Sequence, residues 1–284
     1  MNKQKYTDSV DLSIIILTWN SKKYTLNCID SIYRHTPKKI KYEIILIDNG
    51  STQNTLEEVK KRFPDVIRIR NKKNLGFAKA NNQGMKIAKG EIILLLNDDT
   101  IINDDSLYRA YKFLKAQPEN IGAVACKLLN PNGTLQVSCR QFYTLKNIIK
   151  IILGKSCFFL PYSIRHKLYI DIWKHDKIRE VDWVNMAFFM VRKSVIDKIG
   201  GLEERFHFYG EDMEFCYRMH LNNYKLLFLN TCEIIHIGGG SSIGRYDLTK
   251  QMQNALLKFY DIYGMKIEKN IMNLWFKVKN LYQI

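Results

Sequence analysis

No stretch of this sequence approaches the ~20 consecutive apolar residues that a membrane-spanning helix requires. The first eleven residues are polar and charged, without the apolar core of a secretion signal. None of the six cysteines (Cys28, Cys126, Cys139, Cys157, Cys216 and Cys232) forms a CxxC pair with another. Several sit inside apolar runs, as Cys126 does in Ala123-Val124-Ala125-Cys126, so they read as buried thiols of a reducing compartment rather than a disulfide framework. The expectation is a cytoplasmic protein, with a peripheral place on the inner face of the cell membrane left open. Acidic residues are scarce: 28 Asp and Glu stand against 44 Lys and Arg, a formal net charge of +16. That excess favours anionic partners, whether nucleotides, nucleic acid or an acidic membrane surface, without choosing among them. The lysines are spread along the chain rather than gathered on one helix or groove with interleaved aromatics, which ranks nucleic acid last. No GxxxxGK[ST] loop is present, and no GxGxxG follows a strand. Without such a cradle, binding of a diphosphate would depend more heavily on a metal ion.

At 284 residues and 46% hydrophobic content, the chain can build one large domain or two closely joined halves. Residues 12–17, 43–47 and 91–96 are short apolar runs rich in Ile and Leu, which reads as strands buried on both faces. Helical patterns lie between and after them: Leu26, Ile29, Ile32 and Tyr33 share one face, and Leu107, Ala110, Tyr111 and Leu114 another. Asp104 and Asp105 stand where a helix start favours negative charge. Strands alternating with helices predict an α/β chain with a mainly parallel central sheet flanked by helices. Beyond about Pro131 the segments become irregular and aromatic. Residues 187–191 predict a further strand, 193–199 a short helix stopped by Gly200-Gly201, and 211–222 and 246–263 two more helices. The expected division is one domain over residues 1–245, with halves at about 11–130 and 131–245, and a helical basic and aromatic tail over 246–284.

Each of the first three runs ends in polar residues: Thr18-Trp19-Asn20, Asp48-Asn49-Gly50-Ser51 and Asn97-Asp98-Asp99. Ligands of open α/β sheets bind outside the carboxyl ends of the strands. Adjacent carboxylates at a buried strand end repel each other, and a hard divalent cation relieves that repulsion. The alternative, equally open locally, is an acidic turn leading to the helix near Asp104. Asp212 shares i, i+3, i+4, i+7 spacing with Phe215, Cys216 and Met219, which puts it on an inward helix face. There it is either a base whose pKa is raised by burial or an ordinary first-turn acid. His236 is either a ligand or a core histidine, and Gly238-Gly239-Gly240 either touches phosphate or forms a turn.

Taken in order, these clusters resemble the family 2 glycosyltransferases, which have the GT-A fold. The resemblance runs over residues 11–242. It includes Asn74-Leu75-Gly76-Phe77-Ala78-Lys79-Ala80-Asn81-Asn82-Gln83-Gly84, Leu96-Asn97-Asp98-Asp99 at the place of the Asp-x-Asp metal motif, and Gly200-Gly201-Leu202 followed by Phe208-Tyr209-Gly210-Glu211-Asp212. It implies an inverting, metal-dependent transfer of a sugar from a nucleotide-diphosphate donor, a dTDP- or UDP-sugar with dTDP-rhamnose among the candidates. The implied acceptor is a hydroxyl of a glycan or lipid-linked acceptor, in surface polysaccharide synthesis. Asp212, with Glu211 sharing the role, would be the general base. Thr18, Asn20, Asp48, Asn49, Ser51, Asn74, Gly76, Phe77, Asn81, Asn82, Asn97 and Asp98 would bind the donor. Asp99 would hold Mn²⁺ or Mg²⁺ with Asp98 and His236, while Trp183 and Asn185 lie toward the acceptor. Asn97 replaces the motif's first acid, Ala80 a common glycine, and Asn185-Met186-Ala187 a common Gly-Ala pair.

Residues 142–164 and 270–284 both mix lysines with large apolar residues, a pattern for an anionic bilayer surface or for packing on the core or a second subunit. The rival enzyme reading is a sugar-nucleotide pyrophosphorylase. That class carries a Gly-rich basic loop after its first strand, where this chain has Thr18-Trp19-Asn20-Ser21.

Overall fold

A computed structural model describes residues 10–157, 159–207, 209–238 and 248–282, with side chains to residue 277 in the last helix. Phe208, Gly239, Gly240 and Tyr246, named above, lie outside the described residues. The first half runs β1 (Leu12–Thr18), α1 (Lys22–His35), β2 (Tyr42–Asp48), α2 (Thr55–Arg62), β3 (Ile67–Arg70), α3 (Phe77–Ile87), β4 (Ile92–Asn97), β5 (Thr100–Ile101) and α4 (Ser106–Ala116). Then follow β6 (Ile121–Leu129), β7 (Leu135–Gln136), β8 (Cys139–Arg140), α5 (Leu145–Ser156), α6 (Tyr162–Leu168), β9 (Arg179–Val181), β10 (Trp183–Val184), β11 (Phe188–Arg192) and α7 (Lys193–Ile199). The chain continues through α8 (Glu211–Leu221), β12 (Lys225–His236), α9 (Leu248–Tyr263) and α10 (Lys266–Tyr282).

The main sheet has the order β3-β2-β1-β4-β11-β6-β12-β5. β1 pairs parallel with β2 and β4, β2 with β3, and β6 with β12, while β11 inserts antiparallel between β4 and β6. The alternation of side chains along each strand explains the continuous apolar runs. Ile15, Ile45 and Leu95 join one core layer, and Ile14, Ile16 and Leu94 the other. The first layer is covered by α3, α7, α8 and α9, and the second by α1 and α4, so the central strands meet water on neither face. The expected mainly parallel sheet flanked by helices is observed.

The early elements lie within a residue or two of their expected bounds, and α7 ends as expected, at Gly200 with φ +85°. Sequence reading passed over β6 and β12, although they are nine and twelve residues long and central to the sheet. Ala123, Gly122 and Lys127 dilute the apolar run in β6, and Asn230, Thr231 and Glu233 do so in β12. β11 and β12 extend the same sheet as the first half, so the second half is woven into one core rather than set beside it. α9 also enters that core: Phe259 and Tyr260 are buried, and Tyr217 of α8 meets the rings of Phe259 and Tyr263 edge-on. The six cysteines are free thiols, five of them buried. Among the described residues no helix is long and apolar enough to cross a membrane.

Candidate active site

The strand register brings the polar clusters to one level. Thr18 pairs with Asp48 and Leu17 with Asn97, so the carboxyl ends of β1, β2 and β4 open onto a single edge. Asp48 is fully buried. Its Oδ1 accepts the Ser51 backbone N–H at 2.9 Å; its Oδ2 makes no hydrogen bond and has only the Arg70 guanidinium at ion-pair distance, with Nε 3.8 Å away. A buried acceptor without a hydrogen bond is costly, and a ligand N–H would relieve the cost.

Several other expected donor residues are occupied in holding the loops. Asn49 donates to Asn74 Oδ1 at 2.9 Å and accepts from Leu75 N at 3.0 Å, which fixes the segment before α3. Asn20 (φ +53°) accepts from Thr52 N, and its own N–H donates to Ser51 Oγ. Asn81 bonds back to the Phe77 carbonyl. Asn82 exchanges two 2.8 Å hydrogen bonds with the Leu202 backbone, tying α3 to the turn before α8. The loop before α3 and the loop ahead of α8 touch at Gly76. With φ +83°, a Cβ there would lie 2.8 Å from the His207 carbonyl oxygen and 2.9 Å from its Nδ1. Gly76→Ala is therefore expected to destabilise the fold by about 1–3 kcal/mol, combining left-handed strain and clash. Urea denaturation measures this, and an unchanged midpoint would contradict the contact.

The acidic cluster divides in two. Asp98 points back under β1: its Oδ2 accepts from Ser21 Oγ and from Thr25 Oγ1 at 3.2 Å, and Thr18 Oγ1 lies 2.7 Å from Thr25 Oγ1. Burial pushes its pKa up to about 7 against the opposing pull of these hydroxyls. Asp98 is thus engaged by side chains and only partly ionised near neutrality. Asp99 faces the other way, toward His236, with Oδ1 3.2 Å from Nε2 and both side chains buried. Gln136 sets the histidine's tautomer. Its Nε2 donates to Asn130 Oδ1 at 3.1 Å, so Oε1 is the atom facing His236 Nδ1 at 2.5 Å, and that nitrogen carries the proton. Nε2 lies 3.3 Å from the Asn97 amide nitrogen and 3.2 Å from Asp99 Oδ1. A carboxylate oxygen and an imidazole nitrogen converging in a buried place are a donor set for a divalent cation. Among the described residues no group of three or more His, Cys, Asp or Glu converges on one point. Asp99 and His236 are the side chains here that could hold a divalent cation.

A cavity of about 500 Å³ lies alongside, lined by Ser138, Arg140, Trp183, Asn185, Asp212 and Trp275 among others. It adjoins the acidic cluster on two sides. Asn97 N donates to the Ala187 carbonyl, two residues from Asn185, and Gln136 lies next to the cavity residue Val137. Asp212 opens onto the cavity at the start of α8, while Phe215, Cys216 and Met219 are buried, as their spacing predicts. Burial raises the pKa of Asp212, opposed by backbone N–H groups of the helix start and by Arg140. Glu211 is raised by burial and further by the charge of Asp212, and its Oε2 has no partner. α8 is held by a buried network: Arg218 clamps Glu214 at 2.7 and 2.8 Å and donates to the Ile199 and Gly201 carbonyls, and Tyr263 O–H donates to Glu214. Trp183 donates from its indole to the Gln141 carbonyl, leaving its ring for the cavity wall.

Sequence reasoning missed Ser21, Thr25, Gln136 and Arg140. Ser21 and Thr25 sit at i and i+4 of a helix start beside Thr18, a cue that could have been read. Gln136 and Arg140 lie on two-residue strands that carry no periodicity.

The family model described as glycosyl transferase family 2 matches residues 13–173, more than half of the chain. Over 126 residues the chain is 36% identical to the poly(ribitol-phosphate) beta-glucosyltransferase of Bacillus spizizenii, covering 43% of this chain and 20% of that protein. Over 239 residues it is 23% identical to the N-acetylglucosaminyl-diphospho-decaprenol L-rhamnosyltransferase of Mycobacterium tuberculosis, covering 79% and 75% of the two. Among solved structures it is similar to a mannosyltransferase of Pyrobaculum calidifontis in complex with GDP-Man and Mn²⁺, with TM-score 0.59 and 17% identity over 89% of this chain and 63% of that one. The fold is thus the expected GT-A fold. The chain spans about a fifth of the length of the Bacillus relative.

Proposed function

The chain belongs to glycosyl transferase family 2, and from that premise and the shared cleft we propose that it moves a sugar from a nucleoside-diphosphate donor to an acceptor hydroxyl with inversion. The observation that carries the proposal is the juxtaposition just described: Asp99 and His236 at the strand edge, with Asp212 in the adjoining cavity. Asp48 Oδ2, which makes no hydrogen bond within the described residues, accepts a ring N–H of the donor base. Asp99 and His236 would hold Mn²⁺ or Mg²⁺, while Asp98 shapes the site from behind. A bound cation would neutralise charge developing on the departing diphosphate. Asp212 takes the proton of the acceptor hydroxyl as that oxygen attacks the anomeric carbon. Trp183 supplies an aromatic wall for the acceptor sugar, with Asn185 beside it. Inversion in one displacement needs no enzyme nucleophile.

The names of the relatives support a surface-glycan acceptor, either a polyol-phosphate chain or a lipid-linked sugar, while the sequence resemblance alone suggests a dTDP- or UDP-sugar donor. The family match and the missing Gly-rich loop both favour transfer over the nucleotidyltransferase reading. The test is incubation with a panel of dTDP-, UDP- and GDP-sugars and Mn²⁺, with NMR of the product's anomeric coupling. Transfer with inversion is expected, and retained configuration or no released nucleoside diphosphate with any donor would sink the proposal.

Gln136 acts through His236. Gln136→Leu is expected to weaken Mn²⁺ binding roughly 10–100-fold, the usual effect of losing a partner that orients a metal-ligating histidine. Electron paramagnetic resonance of free Mn²⁺ measures this, with Gln136→Glu retaining most of the affinity because an acceptor still faces Nδ1.

A further inference from the structure

We propose that α5 and α10 form a docking face for an anionic lipid bilayer at the mouth of the acceptor cavity. This deepens the proposed function by making the membrane the place where the acceptor is met. On α5, Leu145, Ile149 and Ile152 are 37%, 51% and 52% exposed. On α10, Ile267, Ile271 and Leu274 are 63%, 36% and 65% exposed. Both sets follow the same i, i+4, i+7 spacing, so each helix presents one narrow apolar stripe to solvent. Burying large aliphatic side chains would be the ordinary use of such a stripe, and among the described residues nothing covers these. Elsewhere among the described residues large exposed apolar side chains are scattered, and isolated ones are unremarkable on a protein surface.

The two helices are neighbours along the cavity. Leu145 N donates to Glu268 Oε1 at 3.3 Å near their starts. Further along, Lys155 of α5 and Met272, Trp275 and Phe276 of α10 line the same cavity as Asp212. The stripes are therefore continuous with the entrance to the proposed acceptor site.

Charge selects the occupant. From residue 142 to residue 170 the sequence has five Lys and Arg and no Asp or Glu, and residues 264–284 have four Lys against one Glu. On α5, Lys146 and Lys150 flank one side of the stripe and Lys155 the other. Lysines bordering an apolar stripe keep their ammonium groups at headgroup level while their stems lie along the apolar surface. A second copy of this chain would bring like charges together, whereas an anionic bilayer complements both the stripe and its border. A lipid-linked acceptor would then present its sugar to Asp212 without leaving the membrane surface.

The test is flotation of the full chain with vesicles of pure phosphatidylcholine and of 7:3 phosphatidylcholine:phosphatidylglycerol, without donor or acceptor, so that its outcome is independent of the transferase reading. Binding to the anionic vesicles alone is expected, weakened by salt. Ile149→Ser with Ile152→Ser, and Ile271→Ser with Leu274→Ser, should each reduce flotation roughly tenfold while leaving the melting temperature and transfer to a water-soluble acceptor unchanged. No flotation of the wild type, equal binding to neutral vesicles, or a wild-type dimer in sedimentation that these substitutions dissolve would overturn the proposal.

Discussion

Asp212→Asn should lower the transfer rate by roughly 10²–10⁴-fold, the usual contribution of a positioned general base, while nucleotide binding stays as in the wild type. The substitution keeps shape and removes only basicity. Asp212 lines the cavity with Trp183 and Asn185 rather than joining the Asp99–His236 pair, so kcat and donor affinity should separate. The neighbouring Glu211→Gln is the control. Glu211 is the more deeply buried of the two and does not line the cavity, whereas Asp212 does. Glu211→Gln should therefore keep most of the activity. The pH dependence follows with a definite sign. A base must be ionised to act, and burial raises the Asp212 pKa above the ordinary value of about 4. The rate should be low in acid and rise through that raised value as pH increases. Full activity of Asp212→Asn, or an acid limb in the ordinary carboxylate range, would show that another group takes the proton.

Asp99→Ala should abolish Mn²⁺-dependent nucleotide binding, a loss of at least roughly 100-fold in affinity, beyond what second-shell changes cost. Asp99 and His236 are the pair whose donor atoms converge, and a cation held by two protein ligands cannot readily spare one. Asp98→Asn should cost much less, because its carboxylate is already engaged by Ser21 and Thr25 and faces away from His236. Equal losses at Asp98 and Asp99, measured by Mn²⁺ titration with and without nucleoside diphosphate, would refute this division of the cluster.

That division was only half legible beforehand. Adjacent carboxylates after a buried strand marked the place, but Asp98 and Asp99 lie in the turn between β4 and β5, where no periodicity tells which of them meets the histidine. The first half of the fold was readable because strands buried on both faces are unbroken runs of Ile and Leu. β6 and β12 were not, since glycine, lysine and polar residues interrupt them while long-range pairing supplies their stability. The Asn-rich segment before and within α3 was recognised, yet Asn49 and Asn82 spend their amides on Leu75 and Leu202. A motif records which residues recur, not whether they touch ligand or hold a loop. Asp212 was placed on an inward face by helical spacing alone, because i, i+3, i+4 and i+7 suffice where a helix lies flat on a core.

The decisive measurement is calorimetric titration of the wild-type chain with UDP, dTDP and GDP, each in Mn²⁺ and in EDTA. Saturable binding of at least one of the three in Mn²⁺, absent in EDTA, is the predicted result. Equal binding in EDTA, or no binding of any of them in Mn²⁺, would contradict the assignment of this cleft as a metal-dependent nucleotide-sugar site.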